Sequence, residues 1–164
     1  AASGRASGGD GGSEKASPPL GPRIFLLSAL SHDDMDQWPL IPHFIEHYRD
    51  RLGLQPEHFL LILHSDSGNT TGIRRMAQWL HREYGISRTV PAIEPYTSVS
   101  HNGIKFDILQ RHVTASDWVM QVDADELVLF PGAASAREAL TRLDARGQNV
   151  HYGLMVDRLA SDGD

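Results

Sequence analysis

The stretch Asp117-Trp118-Val119-Met120-Gln121-Val122-Asp123-Ala124-Asp125-Glu126-Leu127 decides how this chain is read. An apolar, β-prone run is followed at once by three acids within four positions. A buried strand through Trp118, Val119, Met120 and Val122 delivers Asp123, Asp125 and Glu126 to one end of a sheet. In open α/β sheets the carboxyl ends of the strands are where ligands bind. Carboxylates clustered there repel one another unless a divalent cation or a hydrogen-bond donor lies between them. The expectation is an Asp-x-Asp metal site.

Working outward, apolar runs and helical periods alternate along the chain. Ile24-Phe25-Leu26-Leu27 reads as a first buried strand, followed by the polar loop Ser31-His32-Asp33-Asp34. Residues 37–52 carry Trp38, Ile41, Phe44, Ile45, Tyr48 and Leu52 at helical spacing, with Gly53 as the stop. A second strand over 58–64 ends in the turn Ser65-Asp66-Ser67-Gly68-Asn69. A helix to about Tyr84 follows, closed by Gly85, and then a short third strand over 86–90. Helical spacing returns at 101–112, the fourth strand spans 117–122, a helix is expected over 134–145 and another strand over 149–156. Alternating β and α units predict an α/β fold, a mainly parallel sheet covered on both faces.

Composition bounds the function classes. The chain has 164 residues, 40% hydrophobic and 22% charged, enough for one domain with a core. A net charge of −6 and the lack of a basic run disfavour nucleic acid as a partner. There is no cysteine, so disulfides, thiolate metal sites and a Cys nucleophile are excluded while the compartment stays open. No apolar run approaches the ~18–20 residues that span a bilayer. Residues 1–22, rich in Gly, Ala, Ser and Pro, read as a disordered linker. With no closing helix before Asp164, residues 23–164 are expected to be a C-terminally truncated domain.

Four pieces in this order resemble the nucleotide-sugar half of a glycosyltransferase with the GT-A fold, of the family 2-like and family 92-like group. They are Pro39 to Tyr48 leading into Leu52-Gly53, the strand and turn Phe59 to Thr71, a helix carrying Gln110, and Trp118 through Glu126. The resemblance implies a GT-A-like, Rossmann-like three-layer sandwich that moves a sugar from a UDP-sugar to a glycan or other hydroxyl acceptor. It implies that Asp123 and Asp125 hold Mn²⁺ or Mg²⁺ against the donor's diphosphate, Asp125 as the direct ligand and Asp123 nearer the ribose. Asp66 is expected at the uracil, Asp33 and Asp34 near base or ribose, Glu126 at the sugar hydroxyls, and Lys105 with Gln110 facing the diphosphate. The base that activates the acceptor is expected outside this chain. An upstream anchor would place such an enzyme in the Golgi or endomembrane lumen; otherwise it is cytoplasmic.

Two other chemistries fit parts of the chain. A nucleotidyltransferase or other metal-dependent nucleotide enzyme, or a non-catalytic nucleotide binder, would use the same acids on a similar sheet. His43-Phe44-Ile45-Glu46-His47 also spells H-x-x-E-H, the inverted zinc-protease motif, with both histidines on one helix face and Glu126 as a third ligand. Against it, the same helix needs Phe44, Ile45 and Tyr48 for packing. No G-x-S-x-G elbow, Walker loop or G-x-G-x-x-G fingerprint is present.

Overall fold

The computed structural model describes residues 22–33 and 38–153. The elements run β1 (Ile24–Ser31), α1 (Leu40–Glu46), β2 (Phe59–His64), α2 (Thr70–Tyr84), β3 (Thr89–Ala92), α3 (Ser98–His112), β4 (Trp118–Gln121) and α4 (Ala136–Asp144). A π-helical turn, His47–Arg51, continues α1, and a 3₁₀ turn, Pro56–His58, leads into β2. The four strands form one parallel sheet in the order β3-β2-β1-β4. The expected α/β class with a parallel sheet is therefore observed.

Period-2 alternation sends each central strand's side chains to both faces. Ile24, Leu26 and Leu30 of β1, with Phe59, Leu61 and Leu63 of β2, pack against Ile41, Phe44, Ile45 and Tyr48, against Ile73, Met76 and Leu80 of α2, and against Ala136 and Leu140 of α4. Phe25 and Leu27, with Leu60 and Ile62, face Ile104, Ile108 and Leu109 of α3. Both faces of the sheet are thus covered, which is why Ile24–Leu27 of β1 and Phe59–Leu63 of β2 are unbroken apolar runs.

Boundaries moved where tertiary packing outweighs local pattern. β1 continues four residues past Leu27 because β2 pairs with it as far as Ser31–His64. β3 starts at Thr89, not Ile86, because Ile86 belongs to the end of α2. Gly85 takes a left-handed φ of 72°, and Ile86 N–H reaches back to Leu80 O at 3.3 Å. Ile86 is buried in the same cluster as Leu80, the apolar contact that accompanies this kind of helix stop. The strand expected over 149–156 is absent from residues 149–153; its remainder lies outside the described residues, as does nearly all of the 1–22 segment. No described helix is long and apolar enough to cross a membrane.

Candidate functional site

Chain progression reverses between β1 and β4, since β2 and β3 lie on one side of β1 and β4 on the other. At such a switch point the loops leaving adjacent strands part and open a crevice at their carboxyl ends. The crevice is stepped. The β1–β2 ladder reaches Ser31–His64, whereas the β1–β4 ladder stops at Leu27–Gln121. A last backbone bond from Val122 N to Leu27 O, 3.2 Å, ends the pairing. β4 therefore leaves four residues short of β1's end, about 13 Å at the usual strand rise. The acids after β4 emerge beside the upper part of β1.

There they form a tight turn. Glu126 N–H donates to Asp123 O at 3.0 Å, placing Ala124 and Asp125 at the centre of a β-turn. The Glu126 carboxylate accepts from Asp123 N–H at 2.9 Å and so closes its own turn. Asp123 and Asp125 are exposed, and their carboxylates accept no hydrogen bond from a described residue. The turn holds two open carboxylates and one engaged one.

The segment after the turn is fixed from α1. Tyr48, fully buried, donates its hydroxyl proton to Glu126 O at 3.0 Å, and the Tyr48 hydroxyl oxygen accepts from Val128 N–H at 3.1 Å. His47 Nε2 lies 2.8 Å from Val128 O and donates to it. Burial pushes the Tyr48 hydroxyl pKa up to about 12, so the phenol stays protonated and available as a donor. The two clamping residues sit at the junction of α1 with the π turn, an irregularity that commonly re-aims side chains at functional sites. Each bond is worth about 0.5–1.5 kcal/mol net. The adjacent His-Tyr pair was visible in the sequence; its partners 80 residues away were not.

The other strand-end acids are engaged. Asp33 accepts from Ser67 N–H and Ser67 Oγ, both at 2.8 Å, and from Ser65 Oγ at 3.1 Å. The Ser67 backbone and hydroxyl hold its carboxyl well below the usual range. Asp66 Oδ1 accepts from Tyr96 N–H at 2.7 Å, tying the loop after β3 to the end of β2. Asp34 lies outside the described residues. Lys105 is half-buried midway along α3 and forms no ion pair with a described residue. Gln110 is 12 residues beyond the start of α3, about 18 Å down a helix that descends from the crevice. It therefore stands toward the amino ends of the strands, since α3 leads from the end of β3 to the start of β4.

No family model matches this chain, and no curated protein matches it.

Among the described residues, no three His, Asp or Glu side chains gather to hold a metal ion. For the H-x-x-E-H stretch the reason is visible: His43 and Glu46 are exposed, while His47 is buried with Nε2 on Val128 O. For the Asp-x-Asp turn, Glu126 is engaged and only two carboxylates remain. That donor set fits Mg²⁺ or Mn²⁺, which commonly take one or two carboxylates and complete their shell with phosphate oxygens and water.

The sequence pattern missed one buried polar group. His101, in the first turn of α3, is 3% exposed, and its Nε2 has no partner among the described residues. Its ring packs on Tyr96 at 4.4 Å and on His64 at 4.8 Å. Burial, then the neighbouring His64 and Lys105, depress its pKa. Nothing in the residues around His101 marked it as buried, because α3 has only a weak apolar stripe.

Proposed function

We propose that the chain is the nucleotide-sugar-binding part of a metal-dependent glycosyltransferase of GT-A type, taking a UDP-sugar as donor and a glycan or other hydroxyl as acceptor. One observation carries the reading. Asp123 and Asp125 stand open at the switch-point crevice, while Asp33, Asp66 and Glu126 are each bound to protein donors. Two carboxylates one residue apart that no described residue pairs contribute nothing to the described fold, and two like charges this close in sequence repel. They fit a cation brought in with a diphosphate.

A divalent ion held there supplies neutralisation of the charge that develops on the leaving diphosphate as the glycosidic bond breaks. The chain's own residues do the rest of what this part can do. Asp125 at the turn's centre and Asp123 at its first position present hard oxygens on one short loop. Glu126 keeps that loop closed, and Tyr48 with His47 hold its downstream side rigid. The free oxygen of Asp66 is available to a base N–H, because its engagement with Tyr96 uses Oδ1.

Calorimetric titration of the chain with UDP, with and without Mn²⁺, tests the reading. Binding that requires Mn²⁺ is the expected outcome. UDP binding of equal strength without metal, or none with it, overturns the assignment.

A further inference from the structure

A second recess lies apart from the acid turn, between the end of β1 and the start of α2. It is a partly open cleft of about 460 Å³ lined by His32, Trp38, Thr71, Gly72, Arg75 and Trp79, with Asn69 at its rim as the helix cap. Its size is in the range of small-molecule sites. Thr71, Arg75 and Trp79 are spaced i, i+4 and i+8 and so share one ridge of α2. Trp38 and Trp79 stack with ring planes 28° apart and centroids at 6.2 Å, and the pair makes an apolar wall of the cleft. The Trp38 Nε1 proton is buried and has no acceptor among the described residues.

The opposite side of the cleft carries one cation, Arg75, and the Asp33 carboxylate lies 3.4 Å from the lining His32. Arg75 is exposed and pairs with no described acid. The first turn of α2, a helix of 15 residues, carries no acidic side chain. Asn69 satisfies the Gly72 N–H at 2.8 Å, and no acceptor is recorded for Thr71 N–H. The first turn of α2 therefore carries no acid of its own and stands beside a guanidinium that no described acid pairs, while the Asp33 carboxylate lies just before the cap, on Ser67 N–H at 2.8 Å. Gly72 contributes by absence: a Cβ at this position would collide with the His32 imidazole, which rests directly on the helix backbone.

The geometry points to this cleft as a binding site for a small aromatic anion, its ring on the Trp38–Trp79 wall and its phosphate or carboxylate on Arg75 and the Thr71 N–H. It goes beyond the glycosyltransferase reading and does not depend on it, since none of its residues belongs to the acid turn. An open site for a ligand of about ten heavy atoms implies millimolar affinity.

The test is a metal-free titration of the full chain with phenyl phosphate, followed through the indole N–H signals of its three tryptophans. Trp38 and Trp79 are expected to shift and saturate together, with Trp118 unmoved as the internal control. Arg75→Gln, an exposed and conservative change, is expected to weaken phenyl phosphate at least about tenfold, the loss of one charge-assisted contact. Benzyl alcohol, which has the ring without the charge, is expected to bind the two proteins alike. Benzoate in place of phenyl phosphate separates a general anion site from one that needs a phosphate. Absence of shifts at Trp38 and Trp79 in the parent chain overturns the proposal. So does phenyl phosphate binding that Arg75→Gln leaves unchanged.

Discussion

The ends of β1 and β4 carry the same residue type and use it in opposite ways. At the end of β1, Asp33 is a structural acceptor, bound by the backbone and hydroxyls of the turn that follows β2. At the end of β4, Asp123 and Asp125 meet no donor among the described residues, and the neighbouring Glu126 is the one that closes the turn. An acid at the carboxyl end of a parallel strand is thus not evidence of a ligand site by itself. What distinguishes the two is whether the protein supplies the donors, and that depends on the strand beside it. β2 ends level with β1 and brings serines to Asp33; β4 ends lower and meets no such turn.

The largest expected effect breaks the β4 side. Asp125→Ala is expected to lower the affinity for UDP in the presence of Mn²⁺ by more than about 100-fold, the scale of losing a ligand to a charge-stabilising cation. Its thermal midpoint is expected to stay that of the parent, because the side chain holds nothing in the fold. Asp123→Ala is expected to cost less. If either variant unfolds earlier while binding is unchanged, the two strand ends are alike after all.

Next in size is the clamp below the turn. Tyr48→Phe keeps the packing against Phe44, 4.9 Å between ring centroids, but strips Val128 N–H of its acceptor and Glu126 O of its donor. Leaving buried backbone groups unpaired costs about 1–3 kcal/mol, readable by urea denaturation. Amide exchange at Asp123 and Val128 is expected to accelerate beyond that of the β1–β2 ladder. Equal acceleration everywhere would mean that Tyr48 supports the whole core rather than the turn.

The contrast also has a pH signature. The Asp33 carboxyl is held low by Ser67, and the Asp117 carboxyl is held low by the Arg23 guanidinium. A carboxyl whose folded pKa is depressed contributes stability that is complete above its unfolded value, about 3.9, and is lost as pH falls from there through the folded value. Acid titration of the parent is therefore expected to show stability declining below about pH 4. Asp33→Asn is expected to be less stable at neutral pH and to lose part of that decline.

Much of this was legible in the sequence, for reasons that particular residues make plain. The apolar runs Ile24–Leu27 and Phe59–Leu63 announce strands buried on both faces, and Gly85 marks the end of α2. The position of the acids after β4 followed from the Trp118–Val122 run alone. What was not legible is relational. That β4 stops four residues short of β1 is a matter of register, set by contacts across the sheet. That Asp33 faces Ser65 and Ser67, and Tyr48 faces Val128, depends on side chains 32 to 80 residues apart in sequence. Gly72 shows the same limit. In an exposed helix a change to Ala would stabilise by about 1 kcal/mol, yet the His32 ring occupies the space a methyl would need.

The smallest expected effect concerns Asp66, which stands between the two kinds of acid. Its Oδ1 accepts from Tyr96 N–H at 2.7 Å, and its side chain is 59% exposed. Asp66→Asn keeps a carbonyl oxygen for Tyr96, so the thermal midpoint is expected to change little, within the ±0.5 kcal/mol of an ordinary surface substitution. Asp66→Ala removes the tie and is expected to loosen residues 93–97 without unfolding the sheet. UDP affinity separates the two roles. If Asp66 meets the base through its other oxygen, Asn places an amide N–H where an acceptor is needed, and affinity falls about tenfold with stability intact. If Asn leaves UDP affinity unchanged, Asp66 belongs with Asp33 among the acids that the fold itself consumes, and the ligand-facing set shrinks to the turn after β4.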